Sequence, residues 1–149
     1  MTLVRLLFTS RSTPDCNLDD IRGILEVARE KNMKRGISGI LFYDPKYFIQ
    51  WLEGPRRSVN ALYADILKDS RHQDVTILDY QEVDARSFGK WSVAYVSARK
   101  TDQSILFKYS SGTAFDPFGL SSRSAVKLIF ELADANEAFL SESISDDDH

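Results

Sequence analysis

The chain is poor in the residues that hold metals and disulfides: it has one cysteine, Cys16, and two histidines, His72 and His149. A single cysteine excludes an intramolecular disulfide. Three scattered residues cannot supply a zinc site of the usual N/S type, and nothing in their spacing supports a His-Cys nucleophilic pair. G-x-G-x-x-G and G-x-x-x-x-G-K-[ST] are both missing, so the common phosphate-cradling loops are excluded, and Gly36-Ile37-Ser38-Gly39 reads only as turn plus strand entry. No G-x-S-x-G elbow exists, and the carboxylates are dispersed without a forced pair, which leaves an enzyme little to work with. Positive charge is in deficit, 19 Lys and Arg against 22 Asp and Glu for a net −3, which argues against a nucleic-acid binder. The opening Met1-Thr2-Leu3-Val4-Arg5 begins an apolar run too short for a signal peptide or a membrane span, so the cytoplasm is the expected compartment and no membrane partner is expected.

What the chain does hold is 43% hydrophobic residues in 149, a size at which about two-thirds of the unfolded surface can be buried in one compact domain. Leu3 to Ser10 reads as a buried strand ended by the polar run Arg11-Ser12-Thr13-Pro14-Asp15. Asn17 caps a helix to about Asn32, with Ile21, Ile24, Leu25 and Ala28 as its apolar stripe and Gly36 as its exit. Ile37 to Tyr43 and Tyr47 to Glu53 form a hairpin around Asp44-Pro45-Lys46. Pro55 then takes a first helical position, and Val59, Leu62, Tyr63, Ile66 and Leu67 carry that helix to near Asp69. Val75 to Val83 and Trp91 to Val96 are the fourth and fifth strands. The order β-α-β-β-α-β plus one strand is the α+β, ferredoxin-like pattern, with both helices on one face of a mostly antiparallel sheet.

The C-terminal third differs in kind. A short helix over Ser104 to Tyr109 and a longer one capped by Ser121 and reaching about Phe139 are expected. The longer helix carries Ala125, Leu128, Ile129, Leu132 and Ala133 as a narrow apolar stripe. Tyr47, Ile49 and Trp51 form a patch on the second sheet face too large to leave open, so these helices or a second subunit must cover it. The expected organisation is residues 1–98 as a ligand-binding domain, 99–140 as a helical extension on the second sheet face, and 141–149 as an acidic, disordered tail. No repeat of 20 to 50 residues is present.

One stretch stands out: Phe48-Ile49-Gln50-Trp51-Leu52-Glu53-Gly54-Pro55 places an uncharged amide in an apolar strand. Alternation puts Phe48, Gln50 and Leu52 on one face and Tyr47, Ile49, Trp51 and Glu53 on the other. A buried amide without a partner costs about 1–3 kcal/mol, so Gln50 is either satisfied by backbone or water or it meets a ligand. In a ferredoxin-like sheet the first and third strands are neighbours, which brings Phe8 beside Gln50 under the helices, with Asn32 overhanging. Two amides in an aromatic cleft suit a flat heterocycle with alternating carbonyl and ring-nitrogen edges.

Arg5-Leu6-Leu7-Phe8-Thr9-Ser10-Arg11, Asn32-x3-Gly36-Ile37-Ser38-Gly39-Ile40-Leu41, Phe48-Ile49-Gln50-x-Leu52-Glu53-Gly54, Asp69-Ser70-Arg71-His72 and Trp91-Ser92 occur in the order and spacing of BLUF domains, which are flavin-binding blue-light sensors. The chain resembles that family over about Leu3 to Ser97, and its length resembles the short, single-domain PixD type. The resemblance implies FAD with its isoalloxazine between the two helices. It places Asn32 and Gln50 on the polar edge of the ring, with Ile24, Ala28, Phe48 and Leu52 around it. Lys68, Asp69, Arg71 and His72 would meet the adenosine and phosphate end, although for His72 a solvated imidazole at a helix terminus weighs as much and for Lys68 and Arg71 plain solvation weighs more. Trp91 would approach the pocket or flip away from it, unless it is an ordinary core indole. A ring-shaped homo-oligomer and a response-regulator-like partner are also implied.

The chain departs from the family at Phe8, where BLUF domains carry the tyrosine whose phenol starts light activation. Val93, Lys31 and Asp65 are lesser departures, and Asp65 would weaken a basic contact to the cofactor. The leading expectation is a non-enzymatic sensor signalling through protein contacts with its photocycle blocked by Phe8. A light-insensitive, flavin-stabilised scaffold is the alternative, and an acylphosphatase-like enzyme using Arg11 is a remote one.

Overall fold

Strict alternation along the third strand sorts the molecule into two layers around one sheet. A computed structural model describes residues 2–14, 16–112 and 114–140. The expectation for the tail over 141–149 falls outside them. Five strands, β1 (Leu3–Ser12), β2 (Ser38–Asp44), β3 (Tyr47–Pro55), β4 (His72–Val83) and β5 (Ala94–Ser97), lie in the order β4-β1-β3-β2-β5. Every pairing is antiparallel except β2 with β5. This is the ferredoxin-like arrangement with an added parallel edge strand.

Helix α1 (Leu18–Arg35) begins at a capping box, in which Asn17 Oδ1 accepts from the Asp20 amide (3.0 Å) and the Asp20 carboxyl accepts from the Asn17 amide (2.8 Å). It ends where Gly36 turns left-handed at φ 71°, a conformation glycine adopts at no steric cost. Helix α2 (Arg56–Leu67) starts one residue later than the sequence suggests. Pro55 is still paired with Leu3 as the last residue of β3, so its ψ of 136° makes it the N-cap. The fifth strand is also shorter than expected. Trp91 lies in the segment before it, because regular pairing with β2 begins only at Ile40 with Ala94.

Phe8, Leu52, Val4, Leu6, Ile37 and Val59 form one buried cluster, and Ile21, Leu25, Leu41, Tyr43 and Phe48 a second, both on the face covered by α1 and α2. The opposite face is closed by α4 (Ser122–Leu140), with α3 (Gln103–Lys108) beside it. Ala125, Leu128, Ile129, Leu132 and Ala133 of α4 join Tyr47, Ile49 and Trp51 in a single cluster. The chain's own C-terminal helices therefore cover the patch. Asp79, on this side, is held by Arg5 (2.7 Å), Ser122 (2.6 Å) and Gln81 (3.2 Å).

Candidate functional site

Between the two clusters of the α1/α2 face lies a cleft of about 930 Å³, its open mouth included. Helix α1 supplies Gly23, Ile24, Val27, Ala28, Lys31, Asn32 and Arg35 to its wall; these positions recur at three- and four-residue intervals and so share one helix face. The floor is Leu41, Phe48 and Gln50 of the sheet, and Leu62, Asp65 and Ile66 of α2 form the second wall. Asp69, Arg71 and His72 close one end.

Gln50 is half-buried rather than sealed in the core, and it faces this cleft. Its register partner on β1 is Phe8, as the strand order requires. Phe8 itself is fully buried and does not line the cleft; its ring meets that of Tyr63 edge-on with centroids 5.6 Å apart. Burial raises the Tyr63 phenol above its ordinary pKa.

Asn32 is the most telling residue. It is 2% exposed, and its Nδ2 donates to the Ser92 carbonyl at 2.8 Å. A carbonyl only accepts, so this bond fixes which way round the amide sits. Oδ1 is then buried without a partner among the described residues. An orphaned acceptor of this kind costs about 1–3 kcal/mol, and a ligand N–H in the cleft would satisfy it.

At the closed end His72 bridges two elements. Its Nε2 lies 2.7 Å from the Ile66 carbonyl, which requires the proton on Nε2, and Nδ1 accepts from the Ser10 hydroxyl at 2.8 Å. The ring stands edge-on to Phe48 at 5.9 Å. It thus ties down the end of α2 while lining the cleft, and with both nitrogens engaged it is not the freely solvated imidazole that one reading expected. Arg71 grips Asp69 through Nε and Nη2 (2.6 to 3.1 Å). That hydrogen bonding holds the Asp69 carboxyl below its usual range.

Two of the expected residues do not line the cleft. Leu52 packs with Val4, Leu6, Phe8 and Val59 behind the cleft, and Lys68 is exposed at the C-cap of α2. Trp91 is turned away from the cleft, its ring stacked on Phe88 at 6.1 Å against the outer cluster. Arg11 is engaged by Asp74 (3.2 Å) and lies over the Phe118 ring, and it does not line the cleft. Gly23, Val27, Lys31, Arg35, Leu41, Leu62 and Ile66 are cleft residues beyond those expected. The α1 members among them were discoverable from Ile24 and Ala28 by helical spacing alone.

The cleft thus combines apolar side chains with a buried, unpartnered amide oxygen and a half-buried amide on its floor, an arrangement able to take a flat, amide-edged heterocycle. The BLUF model, described as sensors of blue light using FAD, matches residues 3–94. The chain belongs to the BLUF family of flavin-binding blue-light sensors. Its fold matches BlsA in the photo-activated state (TM-score 0.79, 32% identity, covering 87% of this chain and 94% of that one). It also matches the dark state of the BLUF protein BlrB (TM-score 0.77, 30% identity, 91% and 97% covered). The blue light- and temperature-regulated antirepressor BluF of Escherichia coli K12 is 29% identical over 114 residues, 75% of this chain and 28% of that protein. Photoactivated adenylate cyclase subunit alpha of Euglena gracilis is 34% identical over 91 residues, 60% of this chain and 9% of that protein. The chain thus spans under a third of either curated relative. Among the described residues no helix is long and apolar enough to cross a membrane.

Proposed function

We propose that the cleft between α1 and α2 holds the isoalloxazine of FAD, that Asn32 and Gln50 hold its polar edge, and that Phe8 blocks the usual photocycle. The buried, unpartnered Asn32 oxygen carries this reading: it asks for a donor where a flavin presents an imide N–H. Ile24, Ala28, Leu41, Phe48 and Leu62 supply apolar walls for the ring, and Asp69, Arg71 and His72 face the remainder of the cofactor. A bound flavin supplies blue-light absorption and an electron-accepting excited state. Phe8 can give it neither an electron at accessible potential nor a proton. Gln50 has no phenolic hydroxyl opposite it to fix its amide, since its register partner is Phe8. The chain itself performs no catalysis in this proposal. Its output runs through protein contacts, with a homo-oligomer and a response-regulator-like chain as the partners and the cytoplasm as the compartment.

The test is an absorption spectrum before and after blue illumination. The purified protein should be yellow and show no reversible red shift of the flavin band, and Phe8→Tyr should restore one. A robust red shift with Phe8 in place would overturn the blocked photocycle, and a protein that takes up no flavin would overturn the cleft assignment. The split core under α1 and α2 favours a second reading, in which flavin chiefly stabilises the fold. Restored photochemistry in Phe8→Tyr with no change in oligomeric state or partner binding would favour it.

A further inference from the structure

Glu53 points away from the cleft, onto the outer sheet face, and is 1% exposed. Its carboxyl oxygens take four donors: the Ser38 hydroxyl (3.2 Å), the Trp51 indole N–H (3.1 Å) and the amides of Ser87 (3.0 Å) and Phe88 (2.5 Å). The last two belong to the segment joining β4 to β5. Arg86 fastens that segment as well, donating to Ser38 Oγ (2.8 Å) and to the carbonyls of Glu53 (3.2 Å) and Gly36 (2.5 Å). At its other end the Gly39 amide donates to the Trp91 carbonyl (3.1 Å) and Asn32 Nδ2 to the Ser92 carbonyl (2.8 Å). The segment has no strand ladder. One carboxyl on the outer face and one amide from the cleft side are prominent among the groups that hold it. The same Ser92 carbonyl fixes the flip of the Asn32 amide and so leaves Oδ1 as the buried, unpartnered atom of a residue that lines the cleft.

We propose that Glu53 is a positioning residue for the cleft: by anchoring residues 86–92 it sets the Ser92 carbonyl, which orients Asn32, so cleft occupancy and the order of this segment are coupled. The inference rests on the flavin reading for its choice of ligand. Coupling is reciprocal, so a ligand gripping Asn32 orders the segment by the factor by which the anchored segment tightens the ligand. A carboxyl that never touches the ligand thereby governs it from the far side of the sheet.

The measurement is residue-resolved hydrogen exchange on the whole chain, with riboflavin as the probe. Saturating riboflavin should slow exchange at Ser87, Phe88 and Trp91 by about 5-fold or more, the lower end of ordinary allosteric couplings. In ligand-free protein, Asn32→Ala should quicken exchange at Ser87 and Phe88. Glu53→Gln should weaken riboflavin by about 5-fold or more and move its bound visible band at saturation, a spectral change that lost stability alone does not produce. In an Asn32→Ala background, Glu53→Gln should weaken it no further. Unchanged exchange at Ser87 and Phe88 in ligand-free Asn32→Ala overturns the coupling, whether or not riboflavin binds and whether or not Glu53→Gln folds. Riboflavin binding that leaves those amides unprotected overturns it too. Failure of the wild type to bind riboflavin overturns the cleft reading and the ligand half of this inference, while the ligand-free comparison still decides the mechanical half.

Discussion

The two faces of this sheet are finished differently. On the outer face α4 completes one continuous apolar cluster, and Glu53 and Asp79, its deeply buried carboxyls, are saturated with donors. On the cleft face the buried residues fall into two separate clusters, one largely under α2 and one under α1, and a partnerless amide oxygen lies at the gap. Both faces are built from the same three central strands, so strand order does not explain the difference. One face is complete as folded, and the other is left with an open cleft between its two clusters. Stability and binding should therefore separate cleanly under mutation.

The sharpest way to break that contrast is to truncate one aromatic ring on each face. Trp51 is fully buried among Phe88, Phe130 and Arg5, so Trp51→Ala should cost about 3–5 kcal/mol by urea denaturation, transfer and cavity effects together. Phe48 already borders open space, so Phe48→Ala in flavin-free protein should lose only the transfer contribution of about 1.5–3 kcal/mol. Equal losses would mean that the cleft face is as tightly packed as the other.

Next in size is Asn32→Ala. Flavin affinity should fall by about 5- to 150-fold, the equivalent of 1–3 kcal/mol for leaving a polar edge unpaired. Flavin-free stability should change by under about 1 kcal/mol, because the lost Ser92 bond is offset by removing an orphaned oxygen. Fluorescence titration and urea melts of the same sample measure both. A large stability loss with unchanged affinity would place Asn32 on the structural side of the comparison.

Much of this contrast was legible in the chain. Alternation about Gln50 assigns Phe48 and Leu52 to one face and Ile49 and Trp51 to the other, and the structure keeps that assignment. Asn17 and Gly36 bound α1 because their capping chemistry is local. What failed was non-local or a matter of distance. Leu52 shares the face of Gln50, yet it sits beneath α2 rather than at the gap. Trp91 has strand-like neighbours, but the fifth strand begins only at Ala94, where pairing with β2 starts. The office of Glu53 depends on amides 34 and 35 positions later, and no periodicity reveals such a pairing.

The two faces should also respond differently to acid. Burial raises the Asp79 pKa, but the hydrogen bonds from Ser122, Arg5 and Gln81 together outweigh it and leave the carboxyl below its ordinary 3.8. A depressed folded-state pKa means stability that is present above pH 3.8 and is lost as pH falls through the folded value. Asp79→Asn should therefore lower stability at pH 7 by about 1 kcal/mol and flatten the acid limb of the stability profile. Asp69→Asn flattens it too, through loss of the Arg71 hydrogen bonds, but also disturbs the closed end of the cleft. Flavin affinity untouched in Asp79→Asn and reduced in Asp69→Asn is the expected pattern.

The smallest expected effect on stability belongs to Asp65, whose Oδ2 lies 3.5 Å from Arg35 Nη1 at the cleft wall. Both side chains keep contact with solvent, so Asp65→Asn should change stability by about 0–1 kcal/mol. Its consequence is instead one of selectivity. With the carboxylate neutralised, Arg35 becomes available to an anion, and Lys31 on the same helix face reinforces it. Phosphorylated flavins should then gain affinity relative to riboflavin, and salt should reduce the gain because such charge pairs are screened at the surface. The quantity to measure is the ratio of the FAD or FMN dissociation constant to that of riboflavin, in wild type and variant, at low and high ionic strength. A ratio that does not move would show that the phosphates do not approach the Asp65 wall. The Asp65 wall would then belong to the same category as the outer face, structural and indifferent to the ligand.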